Sequence, residues 1–133
     1  MTRVEARVLV FDVEPVERDR LHRALSLIGA EVIGAPGGET AVPQVDLVRP
    51  DLIILEVPSQ GSDRWETLVR IRELPYVPVI ALRVPEDSVA AVESLVLGAD
   101  YSMTKPVRTG EFLARVRALL RRTQGKVLAS CQA

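Results

Sequence analysis

Short, almost wholly apolar runs separated by longer amphipathic stretches constrain this chain more than any other feature. Residues 7–11 (RVLVF) read as a buried strand that ends at Asp12. Residues 52–57 (LIILEV) give the strongest strand signal, and residues 31–35, 77–82 and 101–104 supply three more. Between them the period changes. Residues 16–28 place Val16, Leu21, Leu25 and Ile28 on one helical face, and Gly29 is a natural stop. A second helix is predicted over 39–48, after the turn Pro36-Gly37-Gly38, with Pro43 tolerated only in its first turn. A third spans 65–73. A fourth is capped by Asp87 or Ser88 and closed by Gly98 at about Leu97. A fifth runs from Thr109 to about Arg122. Residues 124–133 show no periodicity and read as a linker or flexible tail, which makes residues 1–122 the domain.

Strands joined by helical crossovers are parallel, and unbroken apolar strands suit a sheet covered on both faces. The fold class is therefore α/β, a doubly wound, five-stranded parallel sheet with five helices. In such folds chemistry collects at the carboxyl ends of the strands. The residues there are Asp12, Glu56, Arg83 and Lys105, two acids and two bases.

The bulk properties remove other classes. A chain of 133 residues is one ordinary domain, and its 47% apolar content suffices for a core. Seventeen basic residues against eighteen acidic ones leave no electrostatic footprint for nucleic acid. No apolar run is long enough to span a bilayer, and residues 1–7 lack a signal-peptide core, so the expected location is cytoplasmic. One cysteine, Cys131, and one histidine, His22, exclude a disulfide framework or a zinc cluster. His22 lies opposite the apolar stripe of its helix and reads as solvated; Trp65, at the head of the third helix, reads as partial packing.

In order and spacing, the strand ends resemble the receiver domains of two-component response regulators, across about residues 7–122. The matching pieces are Val8-Leu9-Val10-Phe11-Asp12, Glu14-Pro15, Arg49-Pro50-Asp51-Leu52-Ile53-Ile54-Leu55, Gly98-Ala99-Asp100 and Thr104-Lys105-Pro106. The last helix, from Glu111 to Arg122, resembles that of winged-helix transcriptional response regulators. The resemblance implies a flavodoxin-like sheet of order 2-1-3-4-5 and a cis peptide at Lys105-Pro106. It also implies metal-assisted phosphoryl transfer to an aspartate, with Mg²⁺ gathered by that aspartate and two acids after the first strand.

Several positions depart from that pattern. Glu56 stands where the acceptor aspartate belongs. Val13 replaces the second acid of the pair, leaving Asp12, while Glu14 is next in sequence. Arg83 replaces the switch hydroxyl and Ser102 the switch aromatic. Gln60 and Arg64 replace the proline and glycine of the loop after the acceptor. Of the reactive set only Asp12 and Lys105 match. Losing one carboxylate and lengthening another spoils the octahedral geometry that Mg²⁺ demands, so no metal is expected, with Asp12 and Glu56 the ligands if there is one. Arg83 or Lys105 is expected to pair with Glu56 in the metal's place. Glu56 then serves either as a permanent, partial phosphoryl mimic or simply as an acid that keeps the site polar.

The function expected is that of a non-enzymatic, phosphorylation-independent receiver without a cofactor, free-standing or attached to an effector domain. It would act by dimerisation or partner docking through the fourth helix, fifth strand and fifth helix. In the winged-helix subfamily that face makes a two-fold dimer. Here Val92, Leu95 and Val96 offer apolar groups, and Glu93, Asp100, Glu111, Arg115, Arg117 and Arg122 offer charges. Tyr101 stands in place of an acid that would serve a partner's Arg115. A sensor kinase is a further candidate partner; specific nucleic-acid binding by this chain alone and membrane binding are not expected. The alternative is a working, Mg²⁺-dependent phosphoacceptor. A flavodoxin-like cofactor binder fits worse, because residues 13–16 lack the small polar groups that cradle phosphate.

Overall fold

The computed structural model describes residues 5–61, 63–74 and 77–132, without the side chains of 124–132. Five strands alternate with five helices: β1 (Arg7–Phe11), α1 (Pro15–Ser26), β2 (Glu31–Ala35), α2 (Ala41–Val48), β3 (Leu52–Glu56), α3 (Glu66–Ile71), β4 (Val79–Arg83), α4 (Ser88–Val96), β5 (Tyr101–Thr104) and α5 (Thr109–Gln132). All pairings are parallel and the sheet order is β2-β1-β3-β4-β5. This is the doubly wound, five-stranded arrangement expected.

The apolar runs are unbroken because alternate residues enter two different cores. Val8, Val10, Leu52, Ile54, Ile80 and Leu82 pack with Leu21, Leu25, Phe112, Val116 and Leu120 of α1 and α5. Leu9, Phe11, Ile53, Leu55, Val79 and Ala81 pack on the other face with Val45, Leu68, Ile71 and Ala90 of α2, α3 and α4. Each large side chain fully buried in this way contributes roughly 1.5–3 kcal/mol.

Most element ends differ from the sequence expectation by one or two residues, as helix and strand ends commonly do. Two differences are larger. The stretch before α2 opens as a 3₁₀ turn over Gly38–Thr40, and Pro43 falls in the first turn of α2, where its missing N–H costs nothing. α5 does not stop near Arg122 but continues to Gln132. Propagating a helix already nucleated by packing needs only residues of fair propensity, so an apolar period is not required there.

The buried face of α1 also differs. Val16, expected inside, is 66% exposed, whereas Glu17 is buried. The phase of Leu21, Leu25 and Ile28 explains this: one turn back from Leu21 lies residue 17. The Glu17 carboxylate is satisfied by the Val107 N–H, 3.1 Å from its Oε1. His22 is exposed and Trp65 half-buried against the α2–α4 core.

Candidate functional site

Parallel register brings the strand ends to one edge. Phe11 lies beside Leu55, Glu56 beside Leu82, and Arg83 beside Thr104. Asp12, Glu56, Arg83 and Lys105 therefore share the carboxyl edge of the sheet, yet their side chains divide into three clusters.

The first joins Glu56 and Lys105. Lys105 Nζ lies 2.8 Å from Glu56 Oε2, with the side chains 14% and 18% exposed, so the pair is largely withdrawn from solvent screening. The other oxygen, Oε1, accepts the Glu14 backbone N–H at 3.3 Å. One cation and one amide thus occupy both oxygens of the β3 carboxylate. Lys105 precedes the cis peptide to Pro106.

The second cluster holds Asp12 away from the first. Asp12 has a left-handed backbone, φ 56°, which a short polar side chain tolerates better than most. Both its carboxylate oxygens lie 3.1 Å from the Gly37 N–H, after β2. A Cβ on Gly37 would fall 2.3 Å from Thr67 Oγ1 and 2.4 Å from Asp12 Oδ2, so this approach needs glycine. Thr67 Oγ1 also accepts the Gly38 N–H at 2.9 Å.

Arg83 joins neither carboxylate. Its Nε donates to Ser102 Oγ at 3.1 Å, across the β4–β5 pair. Of the two cations expected on Glu56, Lys105 is the one that takes the carboxylate, while the neighbouring strand offers Arg83 a hydroxyl. Arg64, in the β3–α3 loop, forks onto Asp87, with Nη1 2.6 Å from Oδ2 and Nη2 3.4 Å from Oδ1. Asp87 Oδ1 also caps α4 by accepting the Ala90 N–H at 3.0 Å. The Arg64 hydrogen bond, and after it that amide, hold the Asp87 carboxyl below the ordinary carboxylate range, against the desolvation that raises it. The stabilisation Asp87 lends is therefore full above the ordinary carboxylate pKa. It is lost as pH falls through the lowered value.

This donor set does not fit Mg²⁺. Val13 is buried in the α1–α5 core beside Met103 and Val107. Glu14 presents its amide to Glu56 and its side chain is exposed. Asp12 and Glu56 are each committed to protein donors. Among the described residues no three His, Cys, Asp or Glu side chains converge as an ion would need.

On the α4–β5–α5 face, Val92, Leu95 and Val96 are 63%, 48% and 78% exposed, and Glu111 is exposed. Arg115 donates to the Tyr101 hydroxyl and lies 4.3 Å above its ring. Asp100 Oδ2 accepts the Val79 N–H at 2.8 Å, while Oδ1 lies 3.7 Å from Arg122.

Three contributors had no partner assigned to them from the sequence. Glu17 was legible only from helix phase. Arg64 stood out as a misplaced loop arginine, with nothing to indicate Asp87. Arg72 gave no signal: its guanidinium donates to the carbonyls of Gly98, at 3.2 Å, and of Val77, tying α3 to the β4 and β5 approaches. Burial lowers its pKa, partly opposed by the charge of Asp100.

Comparison with known proteins agrees with this geometry. Residues 8–117 match the response regulator receiver domain family. The transcriptional regulatory protein TrcR of Mycobacterium tuberculosis is 37% identical over 118 residues, which cover 88% of this chain and 46% of TrcR. The transcriptional activator protein IrlR of Burkholderia pseudomallei is 36% identical over 120 residues, covering 90% and 52%. The chain spans about half the length of the curated relatives it matches. Among solved structures, the receiver domain of the Francisella response regulator 1452 superposes with a TM-score of 0.74 at 25% identity, covering 89% of this chain and 98% of that one. Sequence, topology and the arrangement of the strand ends agree: this chain belongs to the response-regulator receiver-domain family.

Proposed function

We propose that this chain is an atypical receiver that signals without accepting a phosphoryl group, the regulatory part of a longer cytoplasmic transcriptional regulator. The observation that carries the reading is the 2.8 Å pair between Lys105 and Glu56. A glutamate sits at the position where the family presents its acceptor aspartate, and the lysine that would receive an acyl phosphate already holds a carboxylate. Val13 and Arg83 remove a metal ligand and a switch hydroxyl from the same edge. The pocket is a static polar cluster, and the module acts through protein contacts rather than as an enzyme. Residues 123–133 serve as a linker or C-terminal tail beyond the receiver.

Incubation with Mg²⁺ and acetyl phosphate, followed by intact mass, tests this. The expected mass is unchanged, and Glu56→Asp alone is expected to leave it unchanged, because Val13 and Arg83 remain. A stoichiometric, base-labile adduct on the wild type would establish the alternative, a working phosphoacceptor. Rapid Mg²⁺-dependent labelling of Glu56→Asp would refute the account of the metal site.

The output we propose is homodimerisation or partner docking through α4, β5 and α5. Tyr101 already engages Arg115 within the chain, which leaves the apolar Val92, Leu95 and Val96 as the main attraction and Glu111 at the rim. Sedimentation of Val96→Glu beside the wild type is expected to show a dimer lost. Identical monomeric profiles would remove the homodimer.

A further inference from the structure

We infer that Arg64 and Asp87 form a latch that fixes the first turn of α4, and with it the apolar stripe that α4 displays. The inference rests on the proposed phosphorylation-independent reading in one respect. It supplies a fixed support for α4 in a receiver whose switch position carries Arg83.

α4 is weakly anchored by apolar burial. Its fully buried residues are Ala90 and Ser94, both small, and Ser94 Oγ is buried with no hydrogen-bond partner among the described residues. Its outer side carries Val89, Val92 and Val96, at 55%, 63% and 78% exposure. A helix with little buried area needs polar fastening at its ends to keep one orientation.

Asp87 provides it at the N-terminus. One carboxylate accepts the α4 cap and the two-pronged Arg64 fork, and the two side chains are only 15% and 14% exposed. Arg64 is itself held in place. Its Nη1 lies 3.3 Å from the Pro58 carbonyl and 3.2 Å from that of Ser59, and the guanidinium lies 4.8 Å from the centre of the Trp65 ring. The latch thus ties α4 to the loop that follows Glu56. Arg83, bonded to Ser102, adds only a minor favourable charge to Asp87 beside the Arg64 fork and the Ala90 amide.

Hydrogen exchange read by mass spectrometry tests the latch. Asp87→Asn keeps an oxygen for the Ala90 cap and removes the charge; Arg64→Ala removes the fork; Arg64→Lys keeps the charge and loses the fork. In both Asp87→Asn and Arg64→Ala, amides 88–96 are expected to exchange roughly tenfold faster, with β1 and β3 unchanged. The double variant should exchange no faster than either single one, and Arg64→Lys should fall between wild type and Arg64→Ala. Unchanged α4 exchange in both single variants would overturn the latch. So would additive effects, or an equal rise in β1 and β3, which would mean support of the whole domain rather than of one helix. A phosphate adduct in the mass experiment would sink the proposed function and leave these exchange results standing, so the two failures are distinguishable.

Discussion

Gly98→Ala is expected to lower folding stability by on the order of 3 kcal/mol, since it combines backbone strain with steric overlap. Gly98 closes α4 at φ 114°, a conformation that a Cβ disfavours. The added carbon would also lie 2.4 Å from Arg72 Cδ and 2.6 Å from Cγ. These are mid-chain atoms, and the guanidinium beyond them is fastened to the Gly98 and Val77 carbonyls. Arg72 cannot retreat without abandoning those bonds. Urea unfolding should show a lower midpoint with the slope unchanged. In the Arg72→Ala background the overlap is absent, so Gly98→Ala should cost only the backbone share, about 1 kcal/mol. Equal losses in both backgrounds would show that Arg72 is not held where its hydrogen bonds place it.

Lys105→Met is expected to cost about 2 kcal/mol, because it strands the Glu56 carboxylate in a site only 18% exposed. The Glu14 amide, at 3.3 Å, is too long a bond to replace an ammonium. Removing both charges is a different matter. Lys105→Met with Glu56→Leu should recover most of the loss, since no partly buried charge is then left without a partner. The double-mutant cycle measures the coupling directly. If the two single losses simply add, Lys105 and Glu56 do not interact in solution, and the static-pocket reading loses its main support.

Much of this architecture was legible in the sequence because burial on both sheet faces leaves a mark on consecutive residues. Strands such as Leu52–Glu56 must be apolar at nearly every position, and Asp87 and Gly98 mark the ends of α4 by local backbone chemistry. The four charged residues at the strand ends were likewise legible, since parallel topology sends every such end to one edge. Which charges meet was legible only in part: Lys105 was one of two cations expected on Glu56, and the structure chose between them. Lys105 reaches Glu56 across 49 residues of chain and Glu17 reaches Val107 across 90, and no local period encodes such pairs. Arg83 had carboxylates within the range of expectation and took the Ser102 hydroxyl instead, reaching back along β5 past its register partner Thr104 to the residue two places earlier on the same face. Arg64 was conspicuous only as a departure from a familiar loop; the folded chain brought it to Asp87. The sequence by itself therefore determined the layers, the order of the elements and the kinds of charge at the edge. The tertiary structure alone decided their partners, because a side chain a few ångströms long chooses among neighbours that only the packed sheet brings within reach.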